Sequence, residues 1–185
     1  MSLETNVYCK HLKDDFIPQI VKRLNEYEMI VEMQPDFSFS KEDYFWSFKF
    51  QLSNPPLDIL KGKVLTSGIE VFISDFDLQA VKEQLKSKPS FWDKLLKKQQ
   101  PEVKFCAPEI EKRLEDCTKV ISFVWHAGDC FQFRFAALTS AILTELTDGV
   151  CSYPADDIWY ENKNIVDETY KEVLLYEKDL KENDI

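Results

Sequence analysis

Glycine is scarce in this chain of 185 residues, and 4 scattered glycines cannot build a G-x-x-x-x-G-K-[ST] phosphate loop or a G-x-G-x-x-G dinucleotide turn. No G-x-S-x-G elbow is present to expose an acyl-transfer serine. The 2 histidines, His11 and His126, lie too far apart for the short spacings of structural zinc or for H-E-x-x-H. Five cysteines (Cys9, Cys106, Cys117, Cys130, Cys151) are scattered without a C-x-x-C pair. That pattern argues against a zinc ribbon or a disulfide framework and for reduced thiols in a cytosol. No apolar run approaches the roughly 18–20 residues that span a bilayer. The start "MSLETNVYCKHLKDDF" lacks the basic and apolar blocks of a secretory signal. No period of 20–50 residues recurs, so a solenoid is not expected either.

What is abundant is large apolar surface. Hydrophobic residues make up 44% and aromatic residues 14% of the chain, with 14 Phe, 7 Tyr and 4 Trp, enough to fold one domain. Acid is abundant too, and uneven. Residues 1–100 carry 14 basic against 15 acidic side chains, whereas residues 101–185 carry 9 against 18. Most of that excess falls in 145–185, with 4 basic against 12 acidic side chains. A field of that sign repels phosphate backbones and anionic lipid headgroups, so neither nucleic acid nor a membrane surface is an expected partner. A basic protein is.

The chain's periodicities predict a helix over "DDFIPQIVKRLNEYEMI", with Ile17, Ile20, Val21, Leu24 and Tyr27 at helical spacing. "MIVEMQ" and "FSFS" read as extended on either side of a break at Pro35. "YFWSFKFQL" alternates Phe48, Phe50 and Leu52 against Ser47, Lys49 and Gln51, the mark of a half-exposed strand. "NPPLDILKGKVLTSG" is expected as a long connection, and "IEVFISDFD" as a strand with Ile69, Val71 and Ile73 on one face. Helices follow at "LQAVKEQLK", "SFWDKLLKKQQ" and "APEIEKRLEDC". "TKVISFVW" reads as a central strand, and "DCFQFRFAALTSAILTELTDG" as a long helix ended by Gly149. "GVCSYPADDIWYE" reads as extended and "IVDETYKEVLLYEKDL" as an acidic amphipathic helix, with "KENDI" fraying. Grouped strands and helices predict one α+β domain over 1–185, its sheet mostly antiparallel or mixed, with helices packed on it.

Candidate chemistry is thin. In "VWHAGDCFQF" the strand ends at Trp125, Gly128 permits a turn, and Asp129 stands where a helix N-cap belongs. The competing reading makes Cys130 a nucleophile with His126 as base, but the neighbouring Asp129 disfavours a thiolate. Asp75, Asp77, Asp156 and Asp157 are paired carboxylates that a fold could gather around magnesium, with no local calcium-loop pattern to demand it. No catalytic, cofactor or metal residue is therefore assigned. Arg134 interrupts an apolar helix with no acid at i±3 or i±4, so burial requires a distant carboxylate. The segment 152–179 interleaves Tyr153, Trp159, Tyr160, Tyr170 and Tyr176 with acids, the composition of a protein-binding face. Tyr153, Asp156, Asp157, Trp159, Tyr160 and Glu161 are the candidate partner-binding residues.

Residues 118–175 run from an apolar strand into a long helix, then "TDGVCSYPADDIWYE", then a further helix. Through Gly149, Val150, Tyr153, Pro154, Asp156 and Trp159 this order resembles small bacterial proteins of unknown function and immunity proteins of polymorphic toxin systems. "CSYPADD" carries Pro154 ahead of the acid, unlike the plainer pattern. What the resemblance implies is a cytosolic α+β domain that neutralises a toxin by binding it, with no catalytic residues and no cofactor. The expectation is a non-enzymatic acidic protein occluding a basic toxin surface. An enzyme using a carboxylate cluster or Cys130 with His126, and a homo-oligomer, are the alternatives.

Overall fold

The computed structural model describes residues 1–34, 36–41, 43–86, 103–160, 164–178 and 180. In chain order the elements are β1 (Ser2–Cys9), α1 (Phe16–Glu26), β2 (Met29–Met33), β3 (Asp43–Leu52), β4 (Leu65–Asp75), α2 (Leu78–Leu85), α3 (Pro108–Leu114), β5 (Lys119–His126), α4 (Cys130–Thr147), β6 (Val150–Tyr153), β7 (Ile158–Tyr160) and α5 (Ile165–Glu177). The strands form one sheet in the order β2-β3-β4-β5-β1-β6-β7, antiparallel at every pairing. The fold is α+β. No helix among the described residues is long and apolar enough to cross a membrane.

Side-chain alternation decides which face is buried. Trp46, Phe48, Phe50 and Leu52 of β3, Ile69, Val71 and Ile73 of β4, and Ile121, Phe123 and Trp125 of β5 all point into the main core. Against them pack Ile20 and Leu24 of α1, Phe135, Leu138 and Ile142 of α4, and Val166 and Val173 of α5. A second, smaller cluster lies on the opposite face, where α2 and α3 bring Leu78 and Leu114 against Tyr8, Phe76 and Val150. The central helix α4 is buried around most of its circumference, and three of its hydroxyls turn back on its own backbone. Ser140, Thr144 and Thr147 each donate to the carbonyl four residues back, at 2.7, 2.8 and 2.7 Å.

The chain begins with a strand, not a helix: β1 lies between β5 and β6, with Leu3, Thr5 and Val7 facing the α4 side. "FSFS" is turn and loop rather than extended. Phe37 and Phe39 are nonetheless buried, because the Asp14 carboxylate accepts from the Ser38 hydroxyl (2.8 Å) and the Phe39 N–H (2.8 Å) and folds the loop inward. β4 starts at Leu65, before the end assigned to the long connection. "GVCSYPADDIWYE" is a hairpin of β6 and β7 turned by Pro154–Asp156, not one extended run. Pro35 and the helix expected over "SFWDKLLKKQQ" lie outside the described residues.

Gly149 does not supply the left-handed residue that ends α4; Asp148 does, at φ 50°. Glycine is required at 149 for another reason. A Cβ there would stand 2.5 Å from the Tyr8 carbonyl oxygen, where the chain comes alongside β1 to begin β6. Since backbone cannot swing aside like a side-chain tip, Gly149→Ala should cost about 1–3 kcal/mol. A chemical-denaturation midpoint unchanged from wild type contradicts that account.

Candidate functional site

The joint at 126–134 is built by capping. Asp129 accepts from the N–H groups of Phe131 (3.0 Å) and Gln132 (2.9 Å), closing the N-terminus of α4. The Gln132 side chain turns back to accept from the His126 N–H at 2.9 Å. His126 is exposed and borders a shallow hollow with Phe45 and Gly68, whereas Cys130 is buried and borders a different one with Phe50 and Leu65. Burial, reinforced by Glu177 and Asp129, pushes the Cys130 thiol up to about 12. The same cause raises Cys9 and Cys151 to about 12 and Cys106 and Cys117 to about 11. In the native protein at pH 7.5 to 8, an aromatic disulfide reagent is therefore expected to find one slow thiol, the half-buried Cys106, and the rest only on unfolding. A fast Cys130 contradicts the capping account.

Arg134 is fully buried, and the carboxylate it requires is Glu177, 43 residues on in α5. Arg134 Nη1 donates to Glu177 Oε2 at 2.8 Å, and Nη2 donates to the Tyr27 carbonyl at 2.8 Å. Tyr170 lies beneath the guanidinium, 5.5 Å from centroid to Cζ, and its hydroxyl donates to Glu28 at 2.6 Å. Arg134 thus pins the end of α1 and the last turns of α5 to α4.

Of the paired aspartates, Asp75 and Asp77 have structural partners. Asp75 meets Lys119 at 2.7 Å, and Asp77 caps α2 by accepting from the N–H groups of Gln79 and Ala80. Among the described residues no group of three His, Cys, Asp or Glu side chains is placed to hold a metal ion.

Six tail residues were expected to share one face, and they do not all converge. Tyr153, Asp156 and Tyr160 line a pocket of about 320 Å³ between α4, α5 and the β1-β6-β7 end of the sheet. The hairpin register explains the split. Tyr153 pairs with Ile158 and Cys151 with Tyr160 on the pocket face, which sends Trp159 to the other side. There Trp159 stacks on Tyr8 at 5.7 Å and meets Phe105 edge-on at 5.5 Å. Asp157 is exposed just past the turn, at φ 53°. Glu161 lies outside the described residues.

Much of the pocket's lining is apolar: Leu3, Trp125, Phe133, Ala137, Ala141 and Ile165. Two of its buried hydroxyls are committed to each other, for Ser140 donates to the Ala136 carbonyl and lies 2.6 Å from Thr5 Oγ1. The mouth carries Asp156, Ile158, Glu172 and Tyr176, all exposed. Burial pushes the Tyr160 hydroxyl up to about 12, with both Glu172 and Asp156 adding to the shift, so it stays a neutral donor at pH 7. Partial desolvation and the neighbouring Glu168 raise the Glu172 carboxyl above its ordinary value. None of the described lining residues is basic.

Tyr176, one of the aromatics interleaved with acids in the tail, also lines the pocket, and with it Glu172 and Thr5, which the sequence does not mark. Ile165, Thr169, Glu172 and Tyr176 fall at i, i+4, i+7 and i+11 on α5, a helical stripe that was legible. That it faces a pocket depended on β1, which was not. Elsewhere in the tail, acids are engaged within the molecule: Glu145 with Arg23 at 3.0 Å, Asp167 accepting from the Tyr27 hydroxyl at 2.6 Å, and Glu177 with Arg134. The chain matches no family model, no curated protein and no solved structure.

Proposed function

We propose that this is a non-enzymatic binding protein that occludes a basic surface on a protein partner, in the manner of the toxin-neutralising immunity proteins its C-terminal half resembles. The observation that carries this reading is the mouth of the pocket. Two carboxylates, Asp156 and Glu172, stand beside exposed Ile158 and Tyr176 at the opening of a largely apolar cavity. Apolar area supplies adhesion, and acids of one sign supply steering and orientation. The catalytic alternative gains no support from geometry, because Cys130 and His126 border different hollows.

The test begins with capture by the full chain and by the D156K/D157K/E172K variant, and continues with each retained protein purified. A basic protein that forms a salt-sensitive complex, its association slowed about tenfold or more by the triple reversal, supports the reading. If complex formation is indifferent to both salt and reversal, occlusion through this face is wrong. A homo-oligomer is the second reading. It is favoured by Phe45 and Phe72, which stand exposed as diagonal neighbours on the opposite sheet face, and sizing in solution decides it.

A further inference from the structure

We infer that the pocket seats one large apolar side chain of the basic partner, while a Lys or Arg adjacent to it in the partner's chain is held at the mouth between Asp156 and Glu172. This deepens the occlusion reading and rests on it: it specifies which chemistry the partner presents, and which way round.

The orientation follows from where charge can be tolerated. A lysine or arginine entering head first carries its cation toward the buried lining of Ala137, Ala141, Ile165 and the Thr5–Ser140 hydroxyl pair, which offers no carboxylate. Burying an unpaired cation costs several kcal/mol, so that pose is disfavoured. The reverse pose matches every wall. Apolar atoms meet that lining and the rings of Trp125 and Phe133, and the cation stays half-solvated beside two acids that both act on the Tyr160 hydroxyl. Exposed Ile158 and Tyr176 continue the apolar lining outward, and Leu175, one turn beyond Glu172 on α5, is also exposed. Ile158 and Tyr176 thus flank the mouth where the residues on either side of the anchor would lie.

Size sets the rest. A pocket of about 320 Å³ sits at the lower end of the roughly 300–1,000 Å³ of organic-ligand sites. It cannot admit an α-helix, whose diameter with side chains is about 10–12 Å. It takes one side chain, with the partner's backbone passing over the mouth.

The experiment titrates the isotope-labelled full chain with three capped tetrapeptides, Gly-Phe-Arg-Gly, Gly-Phe-Glu-Gly and Gly-Ala-Arg-Gly, and with 2-phenylethylamine. Gly-Phe-Arg-Gly should shift the resonances of Tyr153, Tyr160 and Thr169 saturably, and bind about tenfold tighter than either other peptide. In the D156N/E172Q variant, both changes being at exposed positions that leave the fold intact, its lead over Gly-Phe-Glu-Gly should vanish while weak binding of both persists. Equal binding of Gly-Ala-Arg-Gly overturns the apolar anchor, and equal binding of Gly-Phe-Glu-Gly overturns the cation at the mouth. Tighter binding of 2-phenylethylamine than of any peptide overturns the protein partner in favour of a free amine. If no peptide binds while a captured basic protein still forms the salt-sensitive complex, this inference fails and the occlusion reading stands. Loss of that complex removes the reading itself.

Discussion

Replacing Arg134 with methionine should lower the unfolding free energy by about 3–5 kcal/mol, because Glu177 is then left as a buried charge without its partner. Glu177 is only 2% exposed, and its Oε1 already has no hydrogen-bond partner among the described residues. The Tyr27 carbonyl loses its donor in the same change. The double variant R134M/E177L should recover most of the loss, since apolar groups of similar volume satisfy this site without desolvating two ions. The pH dependence has a definite sign. Burial holds the Glu177 carboxyl above its ordinary value, against the opposing pull of Arg134. A folded-state value above the unfolded one means that stability is lost as pH rises from the ordinary glutamate range through the folded value. The wild type should therefore decline against R134M/E177L across that interval and run parallel to it above. Urea melts of the three proteins from pH 4 to 8 measure both effects. A double variant as unstable as the single one contradicts the pairing account.

Trp46→Ala should cost a further large amount, about 3–5 kcal/mol. The indole is fully buried and stacks on Phe37 with centroids 3.7 Å apart and planes 3° from parallel. Phe135 of α4 meets it edge-on at 5.2 Å, so one ring joins the 36–41 loop, strand β3 and the central helix. Removing it takes the platform from Phe37 and frees the loop that Asp14 holds. Trp46 Nε1 has no hydrogen-bond partner among the described residues. Trp46→Phe, which keeps a ring against Phe37 and deletes that orphaned N–H, should lose much less. Equal loss in the two variants contradicts the stacking account.

Much of this architecture was legible because alternation and helical spacing are strong where one face is buried and the other wet. β3 and β4 carry that signal in large aromatic and branched side chains, and α4 carries it as continuous apolar length. β1 is hard to read because Thr5 through Cys9 are buried on both faces, so no alternation marks the strand, and two of those positions are the polar Thr5 and Asn6. The strand owes its place to β5 and β6 on either side rather than to its own composition. Asp129 and Arg134 were legible for a related reason: a cap and a buried charge each impose a local demand, and each demand is met. The pocket was not legible. It needs β1, the β6–β7 register and the inner stripe of α5 at once, and the same register that gathers Tyr153 and Tyr160 sends Trp159 away. Gly149 shows the limit in one residue. Its sequence position suits a helix end, yet its reason is the Tyr8 carbonyl, 141 residues earlier in the chain.

The β7 end of the sheet carries a face of mixed character: apolar within, acidic at the lip, unopposed by any basic side chain in the described lining. Amide hydrogen exchange of the full chain, alone and saturated with the basic protein that it captures, tests this most directly. Slowed exchange in 153–160 and in α5 around Glu172, with the β2-β3-β4 end unchanged, is the predicted footprint. Protection confined to the strands bearing Phe45 and Phe72, with 153–160 and α5 exchanging as freely as before, would contradict it.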